Sequence, residues 1–339
     1  MQTGTLFRHC YEIDIGEGGG RGKHFTSEQA TPLQIEFDIV KNADEEPNRH
    51  VLRLFNLSSE TADAISIMDN VVRLSAGYVE HTGAMLAAVG VITSAITTVQ
   101  DGGTVTEIEF LDGYQEMRDA ALSVAYPKGT KADAALRDIA QKMNLKLMMA
   151  DRLPFREFPH GYSYYGAARV ALRKICGDSG LEWSIQNGEL QVIKSNGYTP
   201  RRAVVLSASS GMIGSPTRTR IAAKEKSITE PKSASKGKAT QAETEARKRQ
   251  EAERRKQARQ AKFLKKQKKD GWVVESLLLP QVNPGDIVKV EARKINAFMR
   301  VDAVRHSGSF YGDEWKTELN LREIVLDESD NKEKGATRR

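Results

Sequence analysis

Polar and apolar residues alternate with a period of two along much of the first third of the chain. Leu33, Ile35, Phe37 and Ile39 are separated by Gln34, Glu36 and Asp38, the pattern of a strand with one buried and one solvated face. Tyr11–Ile15, His50–Asn56, Val71–Tyr78, Ala88–Thr98 and Thr104–Asp112 are predicted as further strands. Turns fall at Gly16 to Gly22 and at Asp101-Gly102-Gly103, where glycine accepts positive φ at little cost. Short strands at this spacing predict a barrel or sandwich.

The period changes near Gly113. Thr130-Lys131-Ala132-Asp133 has the spacing of a variant capping box, and Ala135, Ile139, Ala140 and Met143 then fall on one helical face. Asn144 is the expected stop, and Leu145, Leu147 and Met149 alternate as a strand. Ala167–Cys176 is predicted as a second helix with Val170, Leu172 and Ile175 in its apolar set, ended by Gly177 or Gly180. Trp183 and Ile185, then Asn187-Gly188, then Leu190 and Val192 predict a hairpin around a type I′ turn. Residues 114–200 are therefore expected to form a small α/β domain, followed by connecting strands over 201–223.

Residues 224–270 are a low-complexity insertion. Ser227–Thr240 is rich in Ser, Lys, Ala and Thr and reads as a linker. Gln241–Lys269 is rich in helix formers but has only Phe263 and Leu264 as large apolar residues, so no coiled-coil seam is predicted. As a helix it would run about 43 Å at roughly 1.5 Å per residue. With no apolar face to pack, disorder competes with that helix. Period two resumes over Trp272–Leu279, Asp286–Ala292, Phe298–Val304 and Trp315–Glu323, with a turn at Asn283-Pro284-Gly285-Asp286.

The predicted fold class is α+β, mainly β. Two related β-barrel-like domains, over 1–113 and 271–326, flank the α/β domain and the insertion, and a charged tail over 327–339 is expected to fray. The relation rests on two matches in the same order. Asn70–Ala76 aligns with Asp286–Ala292, and Thr106–Phe110 with Thr317–Leu321. Widely separated copies imply a duplicated fold with an insertion, and not a solenoid. The barrel cores are expected to contain Val72, Leu74, Ile108 and Phe110 in one copy and Val288, Val290, Leu319 and Leu321 in the other.

Charge sharpens this division. The chain carries +6 overall, but Lys226–Lys269 alone holds 16 Lys/Arg against 5 Asp/Glu, a local +11. The rest is therefore mildly acidic, which argues against a nucleic-acid-binding globular surface. Three readings of the basic segment stay open: a solvated or disordered tether, an arm docking on an acidic partner, and contact with phosphates of passing DNA. Arg247, Arg249, Arg254, Arg255, Lys262 and Lys266 are the candidate docking residues. Cys10 and Cys176 lie far apart with no metal-ligand spacing and are expected to be reduced. Met1–Glu12 lacks an apolar run of signal-peptide length, and Thr82–Val99 is diluted by Thr, Ser and Gly. Neither a leader nor a membrane span is expected, and folding is expected in a cytoplasm.

Catalytic signatures fail one by one. In Gly16–His24 a phosphate loop would need glycine where Glu17 stands and Ser or Thr where His24 stands; the dinucleotide spacing meets Arg21 at its third glycine. The six histidines are scattered, with no zinc-binding spacing. Tyr162, Tyr164 and Tyr165 would line a groove or, more simply, pack before a helix. Glu107 and Glu109 share a strand face as glycosidase acids do, yet alternation with Ile108 and Phe110 puts both on the solvated side. No enzyme, cofactor or metal site is predicted. A peptidoglycan-degrading enzyme and a nucleic-acid-binding module remain the alternatives.

Several stretches resemble the baseplate hub proteins of contractile-tailed bacteriophages. They are Ala208–Thr219, Leu277–Asp286, Phe298–Gly308 with Trp315–Glu318, and Leu52–Leu57 with Val72–Gly77. The similarity covers about four-fifths of the chain and departs from the family over Ile221–Gly271, whose role therefore does not carry over. The resemblance implies a homotrimer in which each subunit contributes two barrels. Six barrels then match the sixfold tail tube while the other side holds a threefold central spike, leaving an axial passage for DNA. Implied partners are the chain itself, the tail tube protein and the central spike protein, with tape-measure and baseplate wedge proteins as further candidates. The implied location is the virion's tail baseplate. A permanent ring of this kind buries on the order of 2,000 Å² or more per subunit pair.

Overall fold

Strand follows strand through most of the chain, interrupted by one small mixed unit. A computed structural model describes residues 8–17, 22–80, 82–100, 102–113, 117, 120–150, 152–219, 271–293 and 295–324. β1 (His9–Gly16) and β2 (Gly22–Thr26) form one hairpin, β3 (Ile35–Asn42) and β4 (Arg49–Phe55) a second. A short helix α1 (Ser59–Ile65) leads into the meander β5 (Val71–Tyr78), β6 (Gly83–Gln100) and β7 (Gly103–Leu111). The mixed unit contains β8 (Ala121–Tyr126), α2 (Ala132–Lys142), β9 (Lys146–Met149), β10 (Tyr162–Ala167), α3 (Ala168–Asp178), β11 (Leu181–Gln186) and β12 (Glu189–Lys194). β13 (Val204–Ser207), β14 (Met212–Thr219) and β15 (Gly271–Leu277) precede a second meander, β16 (Ile287–Ala292), β17 (Ile295–Ser309) and β18 (Trp315–Glu323).

Thirteen strands join in one sheet, in the order β14-β15-β18-β17-β3-β4-β7-β6-β5-β1-β2, with β16 on β17 and β13 on β16. β13 and β14, expected only as connections, thus pair with the C-terminal strands. Alternation sets which face is buried: β3 alternates buried and half-buried residues along its whole length. The first core gathers Tyr11, Ile13, Ile35, Leu52, Val72, Leu74, Ile108 and Phe110, with Ile65 added by α1. A separate core holds Leu206, Val274, Val288, Val290, Val304, Leu319 and Leu321. A large side chain buried at such a site stabilises by roughly 1.5–3 kcal/mol.

The mixed unit has its own core, in which Leu136, Ile139, Leu172, Ile175, Trp183 and Leu190 are buried. β9 runs parallel to β12, and β11–β12 turn tightly with φ of 53° at Asn187 and 75° at Gly188. Both residues of a type I′ turn need this left-handed backbone.

Three local expectations are corrected here. The capping box at Thr130 does not form, because helix α2 begins one residue later with Lys131 as its N-cap. The Thr130 hydroxyl instead donates to the Pro127 carbonyl at 2.8 Å. Val170 is 41% exposed, because Ala168, Ala171, Leu172, Ile175 and Cys176 form the buried face of α3. Glu109, expected on a solvated face with Glu107, is buried, since the Arg49 side chain lies across it as an ion pair.

Candidate functional site: the duplicated sheet and its junction

The meander β5-β6-β7 is flanked beyond β7 by β4 and then β3; the meander β16-β17-β18 is flanked beyond β18 by β15 and then β14. The five-strand order is the same. The registers agree as well. Val71 faces Val91 and Val72 faces Gly90 in one copy, where Ile287 faces Arg300 and Val288 faces Met299 in the other. His50 faces Phe110 and Leu52 faces Ile108, as Trp272 faces Leu321 and Val274 faces Leu319. Both long strands carry a bulge at the same place. Ile92 pairs with Phe110 and Thr93 is then extra; Val301 pairs with Leu321 and Asp302 is then extra. A bulge adds one unpaired residue and bends its strand, so a shared bulge is a specific feature of the fold. The copies differ at one edge, where β1 is antiparallel to β5 but β13 is parallel to β16.

The copies meet through β3 and β17, antiparallel from Glu36 opposite Ser309 to Asn42 opposite Ala303. β17 is long enough to serve two partners on one side, β16 along Ile295–Arg300 and β3 along Ala303–Ser309. Arg305 crosses this seam and donates to both carboxylate oxygens of Asp38, at 2.8 and 3.1 Å. A bidentate guanidinium–carboxylate pair fixes direction as well as adding attraction. Asp38 and neighbouring Glu318 keep Arg305 charged despite its partial burial. Trp315 of β18 reaches into the N-terminal core, stacked on His9 at 4.5 Å with its Nε1 donating to the Gly77 carbonyl at 3.1 Å.

A polar cluster ties in the mixed unit. Asp112 accepts hydrogen bonds from the backbone amides of Asn187 and Gly188 at the β11–β12 turn. Arg201 bridges Asp286 at 3.1 Å and Glu189 at 2.7 Å. Lys41, fully buried, donates from Nζ to Asn283 Oδ1 at 2.8 Å. Burial pushes its pKa down to about 8, against the pull of Asp112 and Asp286. Gly285 has φ +89°, and a Cβ there would meet Gln191 Nε2 at 2.5 Å. That amide otherwise donates to the Pro284 carbonyl at 2.8 Å. Gly285→Ala is therefore expected to lower stability by about 1–3 kcal/mol, combining left-handed strain with a disturbed buried bond. Urea unfolding measures it, and a loss below about 0.5 kcal/mol would contradict this account.

The eight residues expected in the barrel cores are buried, four in each of the two sheet cores. The six candidate docking residues from Arg247 to Lys266 lie outside the described residues. Tyr162 and Tyr164 pack against the mixed core in a run of stacked rings with Phe158 and Tyr126, whereas Tyr165 points outward. Glu107 pairs with Arg53 at 2.9 Å, and Glu109 with Arg49. Burial raises the Cys10 thiol to about 11 and the Cys176 thiol to about 12, away from nucleophilic use. Among the described residues no group of three His, Cys, Asp or Glu side chains is placed to hold a metal ion. No described helix is long and apolar enough to cross a membrane.

In sequence, no family model and no curated protein matches the chain. In structure it is similar to the tail protein of Neisseria meningitidis MC58, with TM-score 0.56 and 12% identity over 92% of this chain and 96% of that one. The 43 kDa tail protein of prophage MuSo2 from Shewanella oneidensis also gives TM-score 0.56, at 10% identity over 92% and 98% of the two chains. The chain has a phage tail-protein fold. The E. coli c3393 protein shares this tail-protein fold at TM-score 0.51 and 12% identity, over 88% of this chain and 76% of that one. It is a component of the type VI secretion system with structural similarity to the T4 bacteriophage tail proteins gp27 and gp5.

Proposed function

We propose that the chain is the structural hub of a phage tail baseplate, in which three copies close a ring of six similar barrels. One face of the ring receives the sixfold tail tube and the other the threefold central spike, with an axial channel through which DNA passes. Tape-measure and baseplate wedge proteins are further partners on this reading, which places the protein in the virion after assembly in the host cytoplasm. The observation that carries it is the duplication, with one five-strand order, one set of registers and one bulge position occurring twice in a chain. Two near-equal units per subunit let a threefold ring offer six near-equal contact surfaces. The role is non-enzymatic: the strand carboxylates are held by arginines and the thiols are buried.

Light scattering on the purified chain, alone and with its spike, tests the ring. The expected mass is three times 37.6 kDa, plus that of bound spike. A species that stays monomeric at high concentration with spike present overturns the proposal. Loss of turbidity in a suspension of purified cell walls would instead favour a peptidoglycan hydrolase.

A further inference from the structure

The β3–β17 seam has a counterpart that one chain leaves open. The shared bulge equates Ala303–Ser309 of β17 with Ser94–Gln100 of β6, and the shared strand order equates β3 with β14. Within the chain β17 receives β3. Among the described residues, neither counterpart has a partner on the corresponding side. β14 is the outermost strand of the sheet, beyond β15. β6 pairs with β5 only as far as Val91 and continues with β7 alone. Both open edges carry apolar side chains, Ile96 at 53% and Val99 at 78% exposure on β6 and Ile213 at 41% on β14. Open apolar edges are what soluble sheets avoid unless another strand covers them.

We infer that Thr217–Thr219 of β14 in one chain add antiparallel to Ile96–Thr98 of β6 in a second copy, repeating between chains the seam that β3 and β17 make within one. This rests on the ring proposed above and supplies its contact surface. The register follows from the internal seam. Val40 faces Arg305, Ile39 faces His306 and Asp38 faces Ser307. Their counterparts place Thr219 opposite Ile96, Arg218 opposite Thr97 and Thr217 opposite Thr98. The Arg305–Asp38 ion pair is thereby replaced by Ile96 and Thr217, so this seam depends on apolar contact and backbone bonds where the internal one has a charge pair. Pro216 lacks an amide donor and lies in the irregular stretch between Ile213 and Thr217, so the ladder spans Thr217–Thr219. The contact is heterologous, edge A to edge B, and therefore repeats head to tail until it closes.

The test uses the full chain carrying Thr98→Cys and Thr217→Cys together. The native Cys10 and Cys176 are buried and stay out of the reaction. Mild oxidation is expected to give a denaturant-resistant ladder of two and three linked chains, reversed by reductant. Each single variant alone should give no ladder, and a mixture of the two should give only pairs. Ile96→Lys with Val99→Lys, on surface positions that leave the cores intact, is expected to weaken self-association at least about 10-fold with an unchanged circular-dichroism spectrum. A chain that is trimeric by light scattering yet neither cross-links nor loses its trimer in the lysine variant overturns this seam and leaves the ring standing. A chain that is monomeric and uncross-linked at high concentration overturns both.

Discussion

Trp315→Ala is expected to cost about 3–5 kcal/mol, the range for truncating a large buried aromatic side chain. The side chain belongs to β18 but is buried in the N-terminal core, stacked on His9 and set edge-on to Phe37 at 5.1 Å. Around it run hydrogen bonds that cross between copies: its own Nε1 to the Gly77 carbonyl, and Leu278 N to the Tyr78 hydroxyl at 2.9 Å. Removing the indole leaves a cavity where the two halves hold each other, and deletes the hydrogen bond to the Gly77 carbonyl. Urea unfolding followed by fluorescence and circular dichroism should show an earlier transition that splits in two as the halves uncouple. Trp272 provides the comparison: it is only half-buried and its Nε1 meets Glu323 near solvent, so Trp272→Ala should cost clearly less. Equal losses at the two sites would refute a special role for Trp315 at the seam.

Acid is expected to unfold the protein well before its carboxylates titrate. His50 and His306 are fully buried, and each has its pKa driven well below the ordinary 6.5, first by burial and then by the nearby positive charge of Lys41. They flank Ile39 in one cross-strand row, His50 on β4 and His306 on β17. A histidine whose folded pKa is depressed binds its proton first in the unfolded chain. The stability it contributes is thus present above about pH 6.5 and is lost as pH falls below that. Each group gives a slope of about 1.4 kcal/mol per pH unit in that window, so the pair gives roughly twice that. Unfolding free energy measured between pH 7.5 and 5 should fall steeply. His50→Leu should remove about half of the slope. It should also raise stability at neutral pH, because both ring nitrogens of His50 lack a hydrogen-bond partner. A flat profile across this window would show that the rings are solvated in the folded state.

Much of the sheet was legible because burial on one face writes an alternating pattern into the residues themselves. Val72 and Leu74, or Leu319 and Leu321, announce their direction without reference to a partner, and this let two distant stretches be matched. The shared bulge was not readable, since Thr93 and Asp302 differ in chemistry and only the pairing shows that each is extra. The β3–β17 seam was equally silent, because alternation says which face is buried but not which strand lies alongside. Lys41 continues the inward series of Ile35, Phe37 and Ile39, so its burial was there to be read. Its partner Asn283 is 242 residues away, which no local pattern reveals. Leu122, Val124 and Tyr126 in β8 alternate with polar or small residues as plainly as the strands of the sheet do. Val170 was misplaced because small alanines, which carry little weight in an apolar count, line the true inner face of α3.

One attachment point outlasts these details. Thr219 and Gly271 sit directly opposite each other, so the strongly basic stretch leaves and re-enters the sheet at a single hairpin, where β3 and β4 are joined by a few residues. On the proposed ring, only alternate barrels would then bear a cationic appendage. A partner built with true sixfold repetition meets six matching surfaces but three evenly spaced positive collars. The polypeptide would thus mark its own threefold phase on an otherwise sixfold rim, by charge and not by shape.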